Sequence, residues 1–471
     1  MRSPLQACTL HASTRRELLL GSGVLFAWAF APRLARAEGR DPRFLTIVLR
    51  GALDGLAAVA PVGDPDWIKL RGDNALRLDG KTPPLPLDEF FALNPAMPNV
   101  HQLYKAGHAT IVHAAATPYR ERSHFDGQDV LESGLGKPGA VDTGWLNRAL
   151  AALEPSPEAV ARGRRAFAVG PVTPLVVRGA APVLSWTPPR LPPVSEETTL
   201  RLLDLYRHTD PTLAQVLEER LGLAAIAKAG GIADKPDPNT PAVQGGGVQQ
   251  VRAYFAEAAG TAAKFLASPG GPRVGALAFD GWDTHVNEGA VGGRLANLLG
   301  ALDGAIAAIK TNMGEAWSET AVALVTEFGR TARINGNEGT DHGTATVALL
   351  TGGALKGGRV IADWPGLKEA DLYEKRDLKP TTDLRAVLKG VLCDHLRVEE
   401  RALAPTCSRA AKPWRRCEGC WPEPSHSSPG RWGRGAPLHL GPLPCSSMLA
   451  LRSLPLAPRA RRGRPAACLS C

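Results

Sequence analysis

Short apolar runs at 43–49, 109–115, 165–169, 274–279, 320–325 and 347–350 read as strands. The first two are apolar without alternation, the mark of strands buried on both faces of a parallel sheet. Between them the apolar period lengthens to that of a helix. At 294–313 it falls on Leu295, Leu298, Leu299, Leu302, Ile306 and Ile309, and 249–267 is similarly amphipathic. A helix over 196–227 is expected to break at Asp210-Pro211, a short one is expected at 100–106, and another runs from Ser123 through Glu132. A last amphipathic helix is expected at 382–396. The Pro- and Gly-rich stretches 83–98 and 172–194 read as loops, and 229–247 as a mobile loop. Strand 274–279, helix 294–313 and strand 321–325 form a βαβ unit. The fold class is therefore α/β, with a mostly parallel central sheet flanked by helices.

Both ends depart from this pattern. Residues 1–37 place Arg15-Arg16 before an apolar run and finish in Ala35-Arg36-Ala37. This is the layout of a bacterial twin-arginine signal peptide cut after Ala37, which implies the twin-arginine export machinery as a partner and a periplasmic or secreted destination. The apolar run is short for a membrane span, and no other candidate span is visible. Residues 38–404 form the α/β body. Residues 405–471 are rich in Arg, Pro and Cys and lack periodicity. They read as a low-order basic tail, compatible with disorder, with a weak zinc motif at Cys417 and Cys420, or with a frameshifted coding sequence, the reading favoured here.

The formal net charge of +9 belongs to these ends. Residues 1–37 hold five arginines against Glu17, and residues 405–471 hold eleven cations against Glu418 and Glu423. The body is left at −4 and gives no reason to propose nucleic-acid binding. Of eight cysteines only Cys393 lies in the body, so no internal disulfide framework stabilises it.

The chemistry collects where strands end. The first strand runs into Asp54 between glycines 51 and 55, and the second into Arg122-Ser123-His124. The strand at 274–279 leads to Asp283 and His285, and that at 320–325 to Glu327 and Arg330, followed by Asp341-His342-Gly343. Carboxylates and imidazoles are ligands that suit divalent metals, and ligands of open α/β sheets sit beyond the carboxyl ends of strands. Ordinary roles compete at each position. Asp54 suits a turn, Ser123 a helix N-cap, and Glu327 an ion pair with Arg330. His113 and His124 belong to no motif and read as structural.

In order, Asp54, the Arg122–Gln128 segment, Gly281-Trp282-Asp283-Thr284-His285, Glu327-Phe328-Gly329-Arg330 and Asp341-His342-Gly343 resemble an uncharacterised exported family, domain of unknown function 1501, over roughly residues 10–404. That family is similar to the alkaline phosphatase and sulfatase superfamily. The resemblance implies metal ligands at Asp54, Asp283, His285, Glu327, Asp341 and His342 and a nucleophile at Ser123, and a guanidinium at Arg330 or Arg122 suits bidentate binding of the ester anion. Glu327 and His342 take the strand-end and final positions, because the body's remaining candidate, His395, falls in the last helix. The implied cofactor is a divalent metal ion (zinc, calcium, magnesium or manganese). The implied function is an exported metal-dependent hydrolase of phosphate or sulfate esters, its substrate an anionic ester or polysaccharide. The alternatives are a non-catalytic exported protein of the same fold that binds an anion, polysaccharide or partner, and an assembly factor for cell-surface material.

Overall fold

A computed structural model describes residues 40–403 except 140, 154–165, 171, 187–195 and 230–246. The expected export signal, most of the expected mobile loop and the basic tail lie outside the described residues. By contacts the chain divides into Met1–Glu423 and Pro424–Cys471, and every described residue falls in the first unit.

The strands are β1 (Arg43–Arg50), β2 (Val59–Ala60), β3 (Leu85–Pro86), β4 (Ala92–Leu93), β5 (Ala109–Ala116), β6 (Ala166–Val169), β7 (Val183–Trp186), β8 (Val274–Asp280), β9 (Thr320–Val325), β10 (Thr346–Thr351), β11 (Arg359–Ile361) and β12 (Thr382–Asp383). The α-helices are α1 (Gly55–Ala58), α2 (Trp67–Arg71), α3 (Pro98–Lys105), α4 (His124–Ser133), α5 (Trp145–Ala152), α6 (Glu196–Thr209), α7 (Pro211–Ala229), α8 (Val248–Ala267), α9 (Arg294–Met313), α10 (Leu384–Gly390) and α11 (Glu400–Leu403).

The main sheet has nine strands, in the order β11-β5-β10-β9-β1-β8-β6-β7, with β12 also on β5. β1 pairs in parallel with both β8 and β9, so the expected βαβ unit straddles it. Among the described residues β10 alone runs antiparallel to its neighbours in this sheet. The rest is parallel, and the fold is mixed α/β with a mostly parallel sheet. A small sheet, β2-β4-β3, lies beside it.

Alternation along β1 sorts the core into two layers. Leu45, Ile47 and Leu49 pack with α3, α8 and α9 through Leu103, Phe255, Leu299 and Leu302. Phe44 and Val48 pack with α5 and α10 through Trp145, Leu146, Leu384 and Leu388. Covering both faces is what parallel strands require.

Several expectations shift in detail. The helix expected at 382–396 begins two residues late, because Thr382 and Asp383 first pair with β5, and its final turn widens into a π-helix over Val391–His395. A short strand, β7, occupies part of the expected loop at 172–194. No helix among the described residues is long and apolar enough to cross a membrane.

Candidate metal centre

The carboxyl ends of β1, β5, β8 and β9 meet at one rim. Because β10 is reversed, its entering end, which follows His342, lies there too. Gly51 has φ +116°, and a Cβ on it would sit 2.6 Å from the Asp283 amide, so the β1 exit needs glycine to pack against the Asp283 loop.

His124, Asp283 and His342 bring one ligand atom each within 4.8 Å of one another. Asp283 Oδ1 is the hub. The Nε2 atoms of His124, His285 and His342 lie 3.5, 3.1 and 3.3 Å from it. His285 stands at the edge of the group, its Nε2 2.9 Å from that of His342.

The other nitrogen of each ring is already used. His124 Nδ1 donates to Glu327 Oε1 at 2.8 Å, His285 Nδ1 to Asp341 Oδ1 at 3.3 Å, and His342 Nδ1 to the Arg122 carbonyl at 2.8 Å. Each acceptor holds the Nδ1 proton, so that loss of the Nε2 proton leaves a lone pair facing the hub. His124 Nε2 is buried and has no hydrogen-bond partner. A cation would satisfy it, and nitrogen and carboxylate donors suit a divalent metal, so the donor set fits such an ion.

The electrostatics of the protein groups agree. The carboxylates of Asp283 and Glu327, which face its two ring nitrogens, push the His124 imidazole up to about 9 against the cost of burial. Burial works to raise Asp283, but His124, His342 and Arg330 together hold it well below the usual carboxylate range. Glu327, fully buried, is likewise kept low against burial by His124, the Gly51 amide and Gln128. The rim thus holds anions whose charge a bound cation would balance in place of the imidazolium proton.

A family profile described as "Protein of unknown function (DUF1501)" matches residues 106–406, more than half of the chain. The chain belongs to the DUF1501 family. The matched segment contains all four residues of the cluster but not Asp54.

In this DUF1501 protein Asp54 does not join the cluster. It caps α1 by accepting from the Leu56 and Ala57 amides, and both its oxygens are held by the buried Arg71 guanidinium. Burial opposes ionisation there, yet Arg71 pulls Asp54 below its ordinary value. Asp54, expected as a metal ligand, is neutralised by this internal cation and stands outside the cluster. Glu327 and Asp341 stand one step behind the cluster, as acceptors for His124 and His285. Arg330 is buried, donates from Nη1 to Asp283 at 2.6 Å and from Nε to Thr340 Oγ1 at 3.1 Å, and so has no free fork for a substrate. Ser123 precedes α4 without capping it through its side chain.

His124, read from sequence as structural, is the residue that reading missed. The signal available was its place at the exit of β5, beside the candidate Ser123. His113 is a core histidine. Its Nε2 donates to the Val59 carbonyl at 3.0 Å, and burial pushes it down to about 4. His395 lies against the opposite end of β1, its Nε2 2.9 Å from the Arg43 carbonyl.

No curated sequence relative matches this DUF1501 chain. Three solved structures resemble it remotely. One is Ps i-CgsB in complex with k-i-k-neocarrahexaose, 12% identical, covering 68% of each chain at TM-score 0.33. Another is the PsFucS1 sulfatase from Pseudoalteromonas sp., 13% identical, covering 72% of this chain and 68% of that one at 0.31. The third is the phosphonate monoester hydrolase of Agrobacterium radiobacter, 13% identical, covering 68% and 70% at 0.28. Likenesses this remote leave activity to be argued from the site.

Proposed function

We propose that this protein is an exported hydrolase of phosphate or sulfate esters that uses one divalent metal ion, held by His124, Asp283 and His342 with His285 beside them. The observation that carries the reading is the convergence of three Nε2 atoms on Asp283 Oδ1, each ring anchored through Nδ1. Carboxylate and carbonyl anchors of this kind orient metal-binding histidines and raise their basicity. When bound, such an ion polarises an ester oxygen and lowers the pKa of a coordinated hydroxyl or water. Ser123, one residue before His124, is the hydroxyl we assign to attack, and Arg330 holds Asp283 in place.

The reading of residues 1–37 as a twin-arginine signal supports delivery to the periplasm or beyond, with 38–404 as the working domain. One observation favours the second reading, a non-catalytic binding protein of the same fold. Arg330 is bound to Asp283, and Arg122 pairs with Glu374 and Asp377, so neither guanidinium is free to hold an anion. Elemental analysis of exported protein, with a screen of phosphate and sulfate esters, separates the two. Metal with turnover supports the hydrolase. Metal without turnover on any ester supports the binding protein.

A further inference from the structure

We infer that Glu288 is a positioning residue for the metal cluster, a buried carboxyl that fastens the Asp283–His285 loop to the Asp341–His342 loop. The inference rests on the metal reading above and adds to it a residue that touches no ligand directly.

Glu288 is wholly buried. Its Oε1 accepts from Thr284 Oγ1 at 2.9 Å and from Thr340 Oγ1 at 3.4 Å. Thr284 lies between Asp283 and His285, and Thr340 directly precedes Asp341. One oxygen therefore receives a hydroxyl from each ligand loop. Thr340 Oγ1 in turn accepts from Arg330 Nε, and Arg330 Nη1 donates to Asp283 Oδ1. The contacts close a ring: Asp283, Arg330, Thr340, Glu288, Thr284 and back to Asp283 through the chain. Backbone bonds run alongside, from the Thr340 amide to the Thr284 carbonyl at 3.1 Å and from the Glu288 amide to the Glu338 carbonyl at 2.9 Å. Gly339 lets the loops approach this closely, since a Cβ there would fall 2.2 Å from the His285 carbonyl oxygen.

The other oxygen explains why a carboxyl is tolerated. Glu288 Oε2 lacks a hydrogen-bond partner as an ionised group and stands 3.9 Å from Arg71 Nη1, on the side of the Asp54–Arg71 pair. Burial, then the charge of Asp54, favour the neutral acid. As an acid its proton has the Asp54 carboxylate as acceptor. Glutamine supplies the same pattern, an oxygen toward the threonines and a donor toward Asp54. Leucine has similar bulk and supplies neither.

Ligand geometry held by such a ring should appear in metal affinity, because outer partners of metal sites are commonly worth about 10–100-fold. The test uses the full chain as wild type, Glu288→Gln, Glu288→Leu and Thr340→Val. Zinc affinity is measured by chelator competition, with the visible spectrum of the cobalt(II) form as a second readout. Glu288→Gln is expected within about threefold of wild type with an unchanged cobalt spectrum. Glu288→Leu and Thr340→Val are expected to bind about 10–100-fold more weakly with an altered spectrum. If Glu288→Leu does not fold, Thr340→Val decides alone. Wild-type affinity in Thr340→Val and in any folded Glu288→Leu, or equal losses in the Gln and Leu variants, would overturn the inference while leaving the metal reading intact. A wild type that binds no zinc or cobalt would overturn both.

Discussion

Glu327 and His124 are joined across 203 positions of sequence by a 2.8 Å hydrogen bond from the imidazole Nδ1 to the buried carboxylate. Glu327 also accepts from the Gly51 amide at 2.8 Å and from Gln128 at 3.2 Å, so its position is set by the β1 exit and by α4. A ligand was expected at Glu327; its carboxylate accepts from the His124 ring and stands outside the His124, Asp283 and His342 cluster.

Replacing that carboxylate should therefore weaken the site without removing it. Glu327→Gln keeps an oxygen near Nδ1 but loses the charge that makes the ring basic. Metal affinity is expected to fall about tenfold, with stoichiometry unchanged at saturation. Chelator competition measures it.

The same bond predicts a pH dependence. In the metal-free protein His124 stays protonated up to about 9, and that proton must leave before Nε2 can bind a cation. Apparent metal affinity should rise roughly tenfold per pH unit for one displaced proton up to about 9, then level off. Calorimetric titrations in buffers of different ionisation enthalpy would show proton release. An affinity flat between pH 7 and 9 contradicts the assignment of His124.

Asp54 should behave as a structural group. Removing Arg71 leaves a buried carboxylate unpaired, a loss of about 3–5 kcal/mol for such pairs. Arg71→Met is therefore expected to lower the unfolding midpoint sharply. Asp54→Asn should lower it too, yet bind metal at the wild-type ratio. The sign with pH is set by the depressed Asp54 carboxyl. Its stabilisation is present above its unfolded value of 3.8 and is lost as pH falls through the lower folded value, so the Asp54→Asn stability difference should shrink in acid.

Ser123→Ala separates chemistry from binding. It should retain full metal content and lose ester turnover by several orders of magnitude if the hydroxyl attacks. Retained turnover would remove Ser123 from the mechanism and leave the metal site standing.

Much of this was readable from the chain, and the gaps have physical causes. The α8 and α9 helices and strands β1, β8 and β9 announced themselves because burial on one stripe or on both faces leaves a periodic or continuous apolar trace. Strand β7 did not, since a four-residue edge strand in a Pro- and Gly-rich stretch carries no such trace. The direction of β10 depends on where its loops lead, which hydropathy does not encode. At the site, Asp283, His285 and His342 were visible as a set because each follows or precedes a strand in a short motif. Asp54 looked the same and was claimed by Arg71, a partner no spacing rule points to. His124 lacked a neighbouring ligand in sequence, and only the sheet order that brings β5 beside β10 gives it company.

The central claim is that one divalent ion is held by imidazoles gathered on Asp283. Its most direct test is the metal-to-protein ratio of the exported protein beside His124→Ala and Asp283→Asn, each confirmed as folded. The account predicts about one equivalent in wild type and less than about a tenth in both variants. A ratio that is unchanged in either folded variant, or a wild type that takes up no metal, would contradict it.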